Sequence, residues 1–258
     1  MTGELVVLLH SGGLSGAEWD AVAKKLGGYR TLAPDLLICT ATRPATLAEE
    51  AARVLDLIEE TTRGAGAVHV VGHSYGGAVA LALAPRLGKR VRSLTLIEPT
   101  IPSVLRAARE HEALAELAAL QDRCREDVDR GDVLAAAERF VMYWGGADVW
   151  RLIPKEFRAG VAQQMDRIGA SWSMLVDAPL GIDDVRRLEV PTLVVRGDAS
   201  PAPALRACAL VEGNLARGTS AVIAGAGHMS PITHPARVAE AIALHMNAEE
   251  QEPWSASS

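Results

Sequence analysis

Along the chain, short unbroken runs of Val, Leu and Ile alternate with longer stretches whose apolar residues recur at helical spacing. The runs at 4–10 (ELVVLLH), 29–35 (YRTLAPD), 67–72 (AVHVVG), 91–99 (VRSLTLIEP), 191–198 (PTLVVRGD) and 219–227 (TSAVIAGAG) predict strands. Helical spacing marks 19–27, 46–64, 76–88, 203–215 and 234–246. Residues 46–64 carry the clearest pattern, with Leu47, Ala51, Val54, Leu55 and Ile58 on one face and Thr46 as cap beside Glu49 and Glu50. Strands that are apolar on both faces belong in a parallel sheet covered on both sides, with helices as the crossovers. The expected fold is therefore α/β, a mostly parallel sheet of about six strands covered by helices on both faces. Residues 100–188 break the alternation: they show helical patterns, no strand, and the aromatic residues Phe140, Tyr143, Trp144, Trp150, Phe157 and Trp172. They are expected to form a helical cap inserted into a core of residues 1–99 and 189–250, with 251–258 as a flexible tail. No internal repeat and no low-complexity linker appears.

One strand–helix junction carries candidate chemistry. Gly72-His73-Ser74-Tyr75-Gly76 reads G-x-S-x-G. Glycines two residues either side of a serine let the backbone pass closely and project Oγ from a strained turn, facing the start of the following helix. A glycine-rich turn that merely packs tightly is the plain alternative, and two further loops weigh against it. His10-Ser11-Gly12-Gly13 follows the first strand with small residues that leave amides unobstructed, as an oxyanion hole needs. The expected donors are the amides of Gly12 and Tyr75. Gly12-Gly13-Leu14-Ser15-Gly16 is not G-x-G-x-x-G, so a dinucleotide loop is disfavoured. After the last strand, Gly225-Ala226-Gly227-His228-Met229 offers a histidine in a glycine-bracketed loop, placed to act as general base on Ser74. His111 and His245 read as structural. His69 and His73 are four apart, but a strand and a turn do not align them as a helix would, so no metal pair is expected.

Composition narrows the function classes. A length of 258 residues with 49% hydrophobic content suits one large domain, or a domain with an inserted subdomain. Lys and Arg number 26 against 32 acidic residues, giving a net charge of −6 without a basic cluster, so no nucleic-acid partner is expected. The start MTGELVVLLHSGG lacks the basic opening and longer apolar core of a signal peptide, and no segment reaches the roughly 20 apolar residues of a membrane span. Cys39, Cys124 and Cys208 are odd in number and widely spaced, which points to free thiols in a reducing cytoplasm. Oligomeric state is not legible.

With these loops in order, the chain resembles the α/β-hydrolase fold superfamily over nearly its whole length, through LLHSGG, the APD strand end, GHSYGG, LTLIEP, PTLVVRGD and GAGHMSPITHP. The resemblance implies a serine hydrolase that cleaves a small-to-medium apolar ester or thioester through an acyl-enzyme, without cofactor or metal. The fold also hosts acyl transfer, cyclisation, haloperoxidase or perhydrolase chemistry, and non-catalytic ligand receptors. Three departures follow. The first two strands of the usual fold are expected to be missing. The segment Asp35-Leu36-Leu37-Ile38-Cys39-Thr40 replaces a glycine-rich run and should border the site. The triad acid stays open: where relatives place it, three residues past Gly197, stands Ser200, leaving Asp198 or, at the end of the strand after the nucleophile helix, Glu98. A carboxylate after a buried apolar strand is costly unless paired, which favours Glu98. Tyr143, Trp144 and Trp172 are the expected substrate contacts in the cap, although Trp144 and Trp150, flanking Gly145-Gly146, more often anchor a helix pair onto the core than touch substrate.

Overall fold

A computed structural model describes residues 4–146 and 149–250. The first half runs β1 (Leu5–Leu9), α1 (Asp20–Ala23), β2 (Arg30–Leu32), α2 (Leu37–Thr40), α3 (Leu47–Thr62), β3 (Val68–His73), α4 (Tyr75–Leu87) and β4 (Val91–Ile97). Helices alone follow: α5 (Pro102–Ala107), α6 (His111–Asp129), α7 (Val133–Gly145), α8 (Val149–Leu152), α9 (Lys155–Val176) and α10 (Ile182–Arg186). The chain then re-enters the sheet with β5 (Thr192–Gly197), α11 (Ala202–Glu212), β6 (Gly218–Ile223), α12 (Ser230–Thr233) and α13 (Pro235–Glu250).

All six strands pair in parallel in the order β2-β1-β3-β4-β5-β6. Alternation along each strand divides the interior into two layers. Leu5, Val7 and Leu9 of β1 and Leu94 and Leu96 of β4 pack with α3, α4 and α11. Val6, Leu8, Val71, Ile97 and Val195 face the other way, onto Trp19, Val22 and the α13 residues Val238 and Ile242. This double coverage is why the central strands read as continuous apolar runs. The edge strands β2 and β6 are exposed along most of their length and carry Arg30, Thr31, Thr219 and Ser220 there. α3 starts with the expected capping box: Thr46 Oγ1 accepts from the Glu49 amide at 3.1 Å, and Glu49 Oε2 accepts from the Thr46 amide at 2.8 Å.

Some elements differ from the sequence reading. Instead of a helix over 19–27, a 3-10 turn at Gly16–Trp19 leads into an α1 that ends at Ala23. Glu18 and Trp19 are drawn into the interior there, and Gly28 at φ 99° closes the segment. The run 219–227 is a strand only to Ile223, because Gly225 at φ 75° turns the chain. Residues 37–40 form a helical turn whose first amides, of Leu37 and Ile38, both donate to the buried Glu50 carboxylate at 2.8 Å. The tail 251–258 lies outside the described residues.

α5 to α10 fill the interval between β4 and β5, with α6, α7 and α9 packed on one another. Trp144 and Trp150 are buried in this layer, Phe140 and Trp172 are half-buried, and Phe157 is exposed.

Candidate active site

The tight turn after β3 places the serine. Ser74 has φ 53° and ψ −117°, a strained conformation for a residue with a side chain, and α4 begins at the next residue. Small neighbours permit it. A Cβ on Gly72 would stand 2.3 Å from Gly76 O, and one on Gly76 only 2.2 Å from Leu9 O. Glu98, at the end of the adjacent β4, is likewise held at positive φ, 42°. Two strained residues thus stand side by side at the carboxyl ends of neighbouring parallel strands.

The loop after β6 brings His228 to both. His228 Nδ1 lies 2.7 Å from Glu98 Oε2, and Nε2 lies 2.9 Å from Ser74 Oγ. Glu98 Oε1 accepts from the Gly197 amide at 2.7 Å and from the Ser200 hydroxyl at 2.6 Å. Burial alone would raise the Glu98 pKa, but the His228 imidazole and these donors outweigh it and hold the carboxyl below its ordinary range. Burial dominates at His228 and keeps its pKa below the usual histidine value, with Glu98 opposing only in part. A neutral His228 beside an ionised Glu98 carries its proton on Nδ1, so Nε2 is the acceptor for the Ser74 hydroxyl. This order of contacts is able to draw a proton off Oγ.

Asp198 stands elsewhere. It is exposed, and its Oδ1 accepts from the Gly225 amide at 2.7 Å, tying the end of β5 to the turn ahead of His228. Glu98 fills the place beside the imidazole; the turn after Gly197 is used by Ser200 to hold that carboxylate.

Gly12 and the start of α4 flank the serine. A Cβ on Gly12 would lie 3.9 Å from Tyr75 Cβ, and the Tyr75 amide is among the first-turn amides that lack an intrahelical acceptor. Gly12, Ser74 and Tyr75 border a cavity of about 40 Å³, room for no more than a few waters. Its apolar walls are Ile38, Phe140, Trp144, Ile168, Trp172 and Leu175. Trp144 lies with its ring 4.3 Å from the His228 imidazole. Tyr143 does not reach the cavity: its hydroxyl donates to Glu116 Oε1 at 2.7 Å on the surface, and its ring stands edge-on to Trp144 at 4.8 Å. As a helical neighbour of Trp144 it points away. The Tyr75 hydroxyl turns inward to Glu50 Oε1 at 3.0 Å.

Several residues of the site carried no sequence signal. Thr100, past the Pro99 that follows Glu98, sets its Oγ1 3.0 Å from Ser74 Oγ. Gln121 of α6 and Ser171 of α9 also line the cavity. A second buried acid–imidazole pair lies behind the first. Glu18 Oε1 meets His73 Nδ1, Glu18 Oε2 accepts from the Ser11 amide at 2.7 Å, and His73 Nε2 donates to the His228 carbonyl at 2.8 Å. Although burial opposes both charges, mutual attraction wins: the His73 pKa is raised and the Glu18 pKa lowered. His10 donates from Nδ1 to Ser11 O at 2.8 Å and accepts the Leu36 amide on Nε2 at 2.9 Å. His69 lies between Ser93 and Glu4. No grouping of three or more His, Cys, Asp or Glu suited to a metal occurs among the described residues.

The sequence profile of the alpha/beta hydrolase family matches residues 6–241. Lipase 3 of Moraxella sp. (strain TA144) is 32% identical over 102 residues, 38% of this chain and 32% of that protein. Lipase 1 of Psychrobacter immobilis is 33% identical over 102 residues, again 38% of this chain and 32% of that protein. The match thus spans about a third of the length of these curated relatives. A hydrolase from Pseudomonas aeruginosa PA01 superposes with a TM-score of 0.74 at 25% identity, covering 95% of this chain and 90% of that one. A thermophilic esterase from Thermogutta terrifontis gives 0.76 at 24% identity, covering 96% and 91%.

Proposed function

Since the chain belongs to the alpha/beta hydrolase family, we propose that it is a serine hydrolase cleaving a short-chain apolar ester or thioester through an acyl-enzyme on Ser74. The observation that carries this reading is the continuous series Glu98–His228–Ser74, opening onto an apolar cavity. As Oγ attacks the acyl carbon, its proton passes to His228 Nε2, and Glu98 stabilises the imidazolium through Nδ1–H. The amides of Gly12 and Tyr75 hold the oxyanion. Nε2–H then protonates the departing alkoxide or thiolate, and water, deprotonated in turn by Nε2, releases the acid. The small cavity favours short acyl groups. Three free thiols, Cys39, Cys124 and Cys208, support a reducing compartment such as the cytoplasm, and no described helix is long and apolar enough to cross a membrane.

The test is fluorophosphonate labelling beside hydrolysis of p-nitrophenyl acetate, butyrate and octanoate. Wild type should label at Ser74 and prefer the shorter esters, while Ser74→Ala loses labelling and about 10⁴-fold or more of turnover. A wild-type protein that neither labels nor hydrolyses any of the three overturns the proposal.

A further inference from the structure

Ser74 Oγ has two hydrogen-bond neighbours, and the mechanism so far uses one. Thr100 Oγ1 lies 3.0 Å from Oγ on the cavity side, and the Thr100 amide donates to the Ser74 carbonyl at 3.0 Å, so backbone and side chain both fasten Thr100 to the serine turn. The direction of the hydroxyl contact follows from the rest of the site. With Nδ1–H given to Glu98, Nε2 accepts the single Ser74 hydroxyl proton. Oγ is then left with lone pairs only, and Thr100 is the donor.

Resting on the acyl-enzyme reading above, we propose that Thr100 is a catalytic residue for deacylation, donating to Ser74 Oγ as the C–Oγ bond breaks. A hydrogen bond speeds a step only when it is stronger in the transition state than in the state before it. In the free enzyme Oγ is a hydroxyl and already a good acceptor, so the Thr100 bond is present before and during acylation and changes that rate little. In the acyl-enzyme Oγ is the bridging oxygen of an ester, a poor acceptor. When water adds to the acyl carbon and gives its proton to Nε2, the tetrahedral species must expel Oγ. Electron density then returns to Oγ, the Thr100 hydrogen bond strengthens, and the Nε2 proton completes the serine hydroxyl as the acid leaves. No other group needs to be invoked.

The test separates the two steps by stopped-flow release of p-nitrophenol from p-nitrophenyl acetate, with the fluorophosphonate labelling rate as an independent measure of attack by Oγ. Thr100→Val should slow acyl-enzyme hydrolysis about tenfold while changing acylation and labelling by less than about threefold, so that a burst appears or grows. Thr100→Ser, which keeps the hydroxyl, should stay within about twofold of wild type in both steps. Thr100→Ala should repeat the Val result, which guards against a Val variant that does not fold. Equal slowing of both steps would mean that Thr100 only orients the serine, and would overturn the proposal while leaving the hydrolase reading intact. No change in either step overturns it too. Wild type that fails to label at Ser74 brings down both readings.

Discussion

Two buried Glu–His pairs lie within one site, their imidazoles 5.0 Å apart, and the pKa values of the two rings are shifted in opposite directions. In Glu98–His228 the far nitrogen of the ring meets the Ser74 hydroxyl, a group that donates; in Glu18–His73 it meets the His228 carbonyl, which only accepts. The first ring can therefore be neutral and basic, and its pKa is lowered; the second must keep a proton on Nε2, and its pKa is raised. Residue types and burial are alike. Burial lowers both rings and the carboxylates raise both; at His228 burial outweighs Glu98, and at His73 the attraction of Glu18 outweighs burial. Glu18–His73 is a clasp: through Ser11, His73 and the His228 carbonyl it joins the loop after β1, the serine turn and the histidine loop.

The largest expected break in this comparison is Glu98→Gln. It removes the carboxylate that fixes the His228 tautomer, and kcat should fall by about a thousandfold or more, with a loss of stability smaller than that of Glu18→Gln. Glu18→Gln should do the reverse. It unpairs a fully buried imidazole and should lower the unfolding free energy by about 3 kcal/mol in urea titration, with turnover reduced about tenfold. Its pH signature has a definite sign. Glu18, lowered from 4.5, stabilises above that value and loses the contribution as pH falls through its folded pKa; His73, raised from 6.5, stabilises below that value and loses it as pH rises through its folded pKa. The gap between wild type and Glu18→Gln should therefore be widest between these values. An equal loss of stability in the Glu98 and Glu18 variants would erase the distinction. The smallest effect sharpens it: kcat/KM should fall at acid pH with a midpoint below 6.5, as His228 becomes protonated, and Asp198→Asn should leave both midpoint and plateau within about twofold.

The sheet was legible because both its faces are covered, so each inner strand advertises itself as an apolar run. Ser74 and His228 were legible for a different reason: glycines must flank a chain that turns so tightly, and glycines are visible. Glu98 was legible only as a preference, since a carboxylate ending an apolar strand says that it needs a partner without saying which. The rest depended on approach in space. Nothing near Glu18 marks its partner, which lies 55 positions away, and Thr100 is an ordinary threonine until β3 and β4 stand side by side. Tyr143 and Trp144 are adjacent aromatics that sequence cannot rank; the turn of α7 sends one to the cavity and the other to Glu116.

Glu98 directly follows β4, and α5, the first helix between β4 and β5, starts at Pro102. The segment that supplies the carboxylate is therefore also the stem from which the whole helical layer grows. Transplanting that layer from a relative would drag on Glu98 and Thr100 together, whereas exchanging single wall residues such as Phe140 or Trp172 leaves the stem untouched. Redesign of the cavity in this scaffold is accordingly a matter of repainting the roof from inside rather than replacing it.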